Sequence, residues 1–176
     1  RAAPAVVEDE APFIQILAPK VGQGRVLEKA DTAKAIEAGD WHVLKHQPQE
    51  QRQDRELVLK ALQQGSWQMM VSTSQDFGND PEFMLEAVKK DPEVLSIASE
   101  ELKADRNIVL IAVQYHPLAI RHADSKLRAD KEIAMVAVAE SWQALRYLSE
   151  ELRGDREVLL EAVSQSWRAL EYAGEA

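Results

Sequence analysis

The sequence predicts an all-α fold: an α-solenoid of about six short helix-pair repeats, preceded by an extended amino-terminal arm. Three observations predict it. The segment Asp130 to Gly154, DKEIAMVAVAESWQALRYLSEELRG, is followed from Asp155 by DREVLLEAVSQSWRALEYAGEA, which keeps the same scheme. Aspartate-led starts recur at Asp54, Asp80, Asp105, Asp130 and Asp155, one step of 26 followed by three of 25, a period that belongs to stacked arrays. Apolar residues also recur inside each copy with helical spacing.

The first helix of each unit opens on its aspartate, whose carboxylate accepts from the free N–H groups of the first turn. Glu56, Glu82, Glu132 and Glu157 follow two residues later, where negative charge suits the helix dipole. In Asp80-Pro81-Glu82, proline takes the first helical position it favours. The expected buried face has four places. They are Leu57/Phe83/Ile108/Ile133/Val158, Leu59/Leu85/Leu110/Met135/Leu160, Ala61/Ala87/Ala112/Ala137/Ala162 and Leu62/Val88/Val113/Val138/Val163. The alanines permit close helix approach.

A second helix is expected to start at Ser66, Asp91, Ser141 and Ser166, with His116 as a weaker cap. Trp67, Pro92, Pro117, Trp142 and Trp167 come next, and Leu95, Ile120, Leu145 and Leu170 face inward three residues on. Ser-Glu-Glu-Leu, or Asp124-Ser125-Lys126-Leu127, then leads to the next unit, its leucine plugging the junction. Setting Ala35–Trp41 over Ala61–Trp67 uncovers one more copy, again at a step of 26, with Glu28 in place of Asp54. The chain thus divides into an arm at 1–27, a degenerate capping repeat at 28–53 and five repeats at 54–176. The last repeat ends Ala173-Gly174-Glu175-Ala176 without a polar cap, so either the chain continues past it or its open end meets another protein.

In the arm, Pro4, Pro12 and Pro19 interrupt any helix, and Phe13-Ile14-Gln15-Ile16-Leu17 forms an apolar, strand-prone patch between them. It packs loosely on its own solenoid, docks into a partner or stays disordered. Arg1 in place of Met fits a mature end left by removal of a targeting segment, and equally a cloning boundary. Gly22-Gln23-Gly24 lacks the third glycine and the preceding strand of a phosphate loop.

Composition narrows the function. Lys plus Arg total 21 against 30 Asp plus Glu, a net charge of -9, which disfavours nucleic acid and anionic membrane surfaces as partners. There are no cysteines, hence no disulfides or thiolate metal sites, and no apolar run approaches the ~20 residues of a bilayer span. His42 and His46, spaced i, i+4, would share a helix face, but the further ligands of a zinc site are missing. His116 reads as a cap substitute and His122 as standing in for Tyr147 and Tyr172 in a stacking place. Carboxylates recurring at every helix start are caps, because a catalytic pair is unique and these are periodic. Trp41, Trp67, Trp142 and Trp167 read as packing between units, with a ligand-stacking ladder as the alternative. Glu8-Asp9-Glu10 and Glu150-Glu151 are solvated surface, or a face for a basic partner. No catalytic, cofactor or metal residues are therefore expected.

The wording D-R-E-V-L-L-E-A-V, S-W-x-A-L-x-Y and S-E-E-L-R-G-D-R-E closely resembles the short helical repeat catalogued as domain of unknown function 4116. The resemblance covers about residues 54 to 176 and is strongest from Glu100; Asn107 departs from the usual Glu. That family is abundant in algae with complex plastids, occurs in some intracellular bacterial proteins, and carries no assigned chemistry. The resemblance implies a non-catalytic scaffold or accessory subunit among the protein subunits of a larger complex. Its concrete form is a plastid photosynthetic (photosystem) assembly reached after loss of a targeting segment, in contact with a membrane complex but without a transmembrane segment. The alternative is a soluble peptide- or protein-binding effector module. Residues expected to bind the partner are Phe13, Ile14, Ile16 and Leu17 in the arm and Trp167, Leu170 and Tyr172 at the open end.

Overall fold

The computed structural model of the chain describes residues 26–64, 67 and 76–174. Phe13, Ile14, Ile16, Leu17 and the cap residue Ser66 lie outside them. Among the described residues the architecture is an all-α repeat without strands. Its long helices are α1 (Lys29–Glu37), α2 (Arg55–Leu62), α3 (Pro81–Lys90), α4 (Arg106–Tyr115), α5 (Lys131–Glu140) and α6 (Arg156–Gln165). Each packs on the next in the series, so the array grows by neighbour contacts.

The aspartates form the helix starts. Asp54, Asp105, Asp130 and Asp155 each accept from two first-turn N–H groups, and Asp80 accepts from that of Phe83. Glu28 heads α1 with no side-chain cap bond. Behind each cap the core stripe falls at the third, fourth, seventh and eighth residues. Leu57, Val58, Ala61 and Leu62 are fully buried, as are Phe83, Met84, Ala87 and Val88 and their counterparts in α4 and α5. The sequence reading is corrected here. Val58, Met84, Val109 and Ala134 are core, whereas Leu59, Leu85, Leu110 and Met135, one residue later, are only half-buried. At 3.6 residues per turn, offsets 3, 4, 7 and 8 share one stripe and offset 5 lies on its flank.

Among the described residues the second helix of a unit is a 3₁₀ helix in five cases: Trp41–His46, Pro92–Ile97, Pro117–His122, Trp142–Tyr147 and Trp167–Tyr172. Its inward residues explain why. Trp142, Leu145 and Leu148, like Pro92, Leu95 and Ala98 or Pro117, Ile120 and Ala123, are three apart and sit half-buried or buried on one ridge. Side chains at i and i+3 eclipse in a 3₁₀ helix, whereas in an α-helix each such step drifts by about 60°. Leu95, Ile120 and Leu145 therefore all reach full burial. This geometry also separates His42 from His46, since four residues of 3₁₀ helix end about 120° off a common face. Both are exposed.

A single extended residue makes the corner between the two helices. Asp91, His116, Ser141 and Ser166 have φ between -145 and -158, and each donates its N–H to the last turn of the helix behind it. Asp91 and Ser166 also cap the following 3₁₀ helix through their side chains; Ser141 and His116 do not. The first unit turns differently. Gly39, at φ 94, ends α1 with its N–H on Ile36 O and the Asp40 N–H on Ala35 O, a left-handed cap that inserts one residue. That insertion accounts for the longer step of the first repeat.

One-turn helices at Glu100–Lys103 and Glu150–Gly154, capped by Ser99 and Ser149, carry Leu102 and Leu152 into the junctions, where both are buried. Backbone bonds stitch the same places: Ser99 N to Gly78 O (2.8 Å), Asp124 N to Lys103 O (2.9 Å) and Ser149 N to Arg128 O (3.0 Å). Gly78 is required at its site, because a Cβ there would lie 2.8 Å from Ile97 O. At the amino-terminal unit two core places turn polar. Buried Thr32 donates to Gln51 Oε1 (2.6 Å), buried Gln47 accepts from Leu27 N (2.8 Å), and Gln51 Nε2 donates to Leu27 O (2.6 Å). Leu27, assigned to the arm from sequence, is thereby fixed to this unit.

Candidate partner-binding surface

Successive units are joined by charge as well as by apolar contact. The first helical residue of one unit reaches forward to the cap aspartate of the next and to the glutamate two places on. Lys29 lies 2.6 Å from Asp54 and 3.7 Å from Glu56; Arg55 lies 3.7 Å from Asp80 and 3.9 Å from Glu82. Arg106 pairs with Asp130 (3.1 Å) and with Glu132, and Lys131 with Asp155 (3.0 Å) and Glu157 (2.8 Å). One junction lacks the rung. Pro81 supplies no cation there, and Asn107 stands where the facing acid would be. Cation and acid are thus lost together, which explains the departure at Asn107.

The carboxylates feel these partners. Burial pushes Asp54 up, but its bonds to Lys29 and the α2 amides outweigh that and hold it below 3.8. Asp130 is held down in the same sense by the Ile133 amide and Arg106 against burial, and Asp155 chiefly by Lys131. Installing the missing rung by Pro81→Arg with Asn107→Glu should stabilise the chain beyond the sum of the single changes by about 0.2–1 kcal/mol. A double-mutant cycle in urea reads that coupling, and high salt should erase it.

The sixth unit is the last among the described residues, so no following unit covers its forward face there. Arg156 occupies the cation position, is exposed, and pairs with no acid among the described residues. Leu160 is 59% exposed where its counterparts are half-buried, and Leu170 is 54% exposed where Leu95, Ile120 and Leu145 are at 0%. In the inner units, the following α-helix packs on these 3₁₀ helices and covers those places. Trp167 is 68% exposed, with the Arg168 guanidinium 6.0 Å from its ring centroid. A shallow groove is lined by Lys131, Asp155, Arg156, Glu157 and Leu160.

Of the residues expected to bind a partner, Trp167 and Leu170 lie one 3₁₀ turn apart on this exposed face. Tyr172 does not stand free: it is half-buried, stacked on Trp142 (centroids 6.2 Å apart) and under the Arg146 guanidinium. Trp142 accordingly serves the contact between units. Arg156 was not singled out by sequence, and Leu160, expected on the buried face, is instead exposed, because no following unit among the described residues covers it.

The remaining candidates lie elsewhere. His122 holds the place of Tyr147 and Tyr172 but makes a polar contact, with Nε2 3.2 Å from Glu93 Oε2. Arg121 pairs with the same oxygen, and His116 Nδ1 is 3.9 Å from Glu93 Oε1. Burial pushes the Glu93 carboxyl up, but His122 and Arg121 outweigh it and hold it below 4.5. Burial carries His122 below 6.5 against the pull of Glu93, with Arg121 and Lys103 acting in the same direction as burial. The two shifts treat His122 differently. We take the imidazole as neutral near pH 7, with Arg121 as the charge that holds Glu93.

A depressed histidine pKa means that the folded state takes up its proton later than the unfolded chain. Stability therefore falls as pH drops below 6.5, and Glu93 adds a further loss below its unfolded value near 4.5. His122→Tyr should flatten the stability profile between pH 6.5 and 5 by less than about 1 kcal/mol, measured by urea titration at each pH. Among the described residues no group of three His, Cys, Asp or Glu could hold a metal ion, and no helix is long and apolar enough to cross a membrane.

The comparisons with known proteins bear on the repeat itself. A family described as Domain of unknown function (DUF4116) matches three overlapping segments, 80–128, 105–153 and 130–176. No curated protein and no solved structure matches the chain. The overlapping matches begin in turn at Asp80, Asp105 and Asp130, the cap aspartates of three successive units, and together span more than half of the sequence. The chain therefore belongs to the family of helical repeats described as Domain of unknown function (DUF4116).

Proposed function

We propose that this protein is a non-catalytic helical-repeat scaffold, an accessory subunit that docks other proteins of a larger assembly. The observation that carries this reading is the array itself, in which successive helix pairs stack on their neighbours and the recurring carboxylates are taken up as caps and inter-unit ion pairs. Arrays built in this way present extended surfaces to other proteins, and Trp167 and Leu170 are more than half exposed among the described residues. The periodic carboxylates serve as caps and ion pairs, which supports a non-catalytic reading. In its concrete form the assembly is an algal plastid photosynthetic complex, on the strength of the resemblance alone.

Affinity purification of the tagged chain from its native source tests the proposal. Wild type should recover a defined set of subunits, and Trp167→Asp with Leu170→Asp should lose them while circular dichroism stays unchanged. A second variant lacking residues 1–25 leaves Leu27 on its glutamine partners. Undiminished recovery by that variant removes the arm from the interface. A chain that recovers no protein and persists as a free monomer would overturn the scaffold reading.

A further inference from the structure

We infer that the seams on either side of the fifth unit bind an acidic, extended segment of another protein, with Arg128 and Arg153 as its two carboxylate anchors. The inference rests on the scaffold reading proposed above and adds the chemistry of one partner.

A cation stands near the end of the linker in four units, always two residues before the next cap aspartate. Arg52, Lys103, Arg128 and Arg153 hold that place, and Gly78 holds it in the second unit. The backbone there is tied to the following unit, with Asp124 N on Lys103 O (2.9 Å) and Ser149 N on Arg128 O (3.0 Å), so these side chains are rooted in the seams. Lys103 is taken up by Glu100 at 2.9 Å. Arg128 and Arg153 are half-buried, and neither has an ion-pair or hydrogen-bond partner among the described residues. The Nε of each is buried without a partner, while the terminal nitrogens reach the surface. A guanidinium shielded at Nε and open at its fork matches the two oxygens of a carboxylate. Where the array ends does not decide this. Arg128 has the fifth and sixth units in place after it and still has no partner.

Local charge agrees. The linkers of the third and fifth units carry Glu100-Glu101 and Glu150-Glu151 ahead of their cation, whereas the fourth has Ser125-Lys126 in that place. Its one acid, Asp124, accepts from the Lys126 amide (2.8 Å). Arg146, laid over Tyr147 at 4.9 Å, adds a further cation on the fifth unit. In a chain of net charge -9 this is a local surplus of positive charge, and it draws carboxylates. Packed helices lie about 8–10 Å apart, which sets the distance between equivalent residues of adjacent units. An extended chain covers that distance in about three residues. Carboxylates spaced Glu-x-x-Glu therefore reach Arg128 and Arg153 together. Glu150 and Glu151 stay exposed between the two anchors in sequence, so a neutral residue suits the places between the acids, and a polyphosphate does not fit.

The test is a fluorescence-anisotropy titration of the full chain against a labelled peptide of Glu-Thr-Ser repeats, beside a Gln-Thr-Ser control. The expected result is saturable binding of the acidic peptide alone, weakened by added salt. Arg128→Gln with Arg153→Gln should lower the affinity about tenfold or more while circular dichroism stays unchanged. Arg128→Lys should retain most of it, because Lys103 fills the same place in the third unit. Lys89→Gln with Lys90→Gln removes the same charge from exposed positions at the end of α3 and should leave the affinity as it is. An equal loss in that control, no binding of the acidic peptide, or tighter binding of inorganic polyphosphate overturns the inference. So does binding that appears only once residues 1–25 are removed, which would assign the two arginines to the chain's own Glu8-Asp9-Glu10. Subunits still recovered by affinity purification in those cases would leave the scaffold reading standing and sink this one alone.

Discussion

Phe83→Ala is expected to destabilise the chain by about 3–5 kcal/mol, the range for emptying a buried aromatic site. Phe83 is fully buried at the first core place of α3, stacked on Phe77 with centroids 4.3 Å apart and faced by the Arg55 guanidinium at 5.8 Å. It sits where the second and third units meet, so the loss falls on a junction. An array held by neighbour contacts unfolds as one body only while its junctions are strong relative to the units. The variant should therefore melt in two steps in urea. Trp41 and Trp67 report one side of Phe83 and Trp142 and Trp167 the other, so fluorescence of single-tryptophan versions separates the steps. A single coincident transition, with a loss below half the lower bound expected for such a cavity, would contradict the neighbour-coupled description.

Leu145→Ala and Leu170→Ala should behave as opposites, although the two leucines hold the same place in adjacent units. Leu145 is at 0% exposure beneath α6, and its truncation is expected to cost about 2–5 kcal/mol. Leu170, at 54%, should change stability by no more than about 0.5 kcal/mol. Paired urea titrations check this. The same Leu170→Ala change should weaken partner recovery, a separation of binding from folding that no inner leucine can show.

Much of this architecture was legible because its causes are local. An aspartate before an amphipathic stretch, an alanine that lets two helices close and a leucine at each junction act within one or two turns, and the structure places them as read. Two features escaped for geometric reasons. The choice between Val58 and Leu59 as core depends on the direction in which the neighbouring unit lies, which adjacent aliphatic residues do not disclose. The 3₁₀ helices were written plainly in the strict spacing of Trp142, Leu145 and Leu148, but a short helical stretch reads as α by default. The ladder from Lys29 to Glu157 joins residues about one repeat apart, and only the fold reveals that Pro81 and Asn107 answer each other. In the sixth unit Trp167 was found and Arg156 was not, since an exposed arginine looks ordinary until its four paired counterparts are seen.

The corner at Asp91, His116, Ser141 and Ser166 lies in backbone territory open to every amino acid but proline, whereas the corner at Gly39 does not. Drift in the later units is thus free to sample residue identities at the bend without misaligning the stack. Adding or deleting a residue there requires gaining or losing a glycine at the same moment. Length in this lineage of units should accordingly change in whole single-residue jumps marked by glycine, which makes that one amino acid a ruler for sorting long copies from short ones.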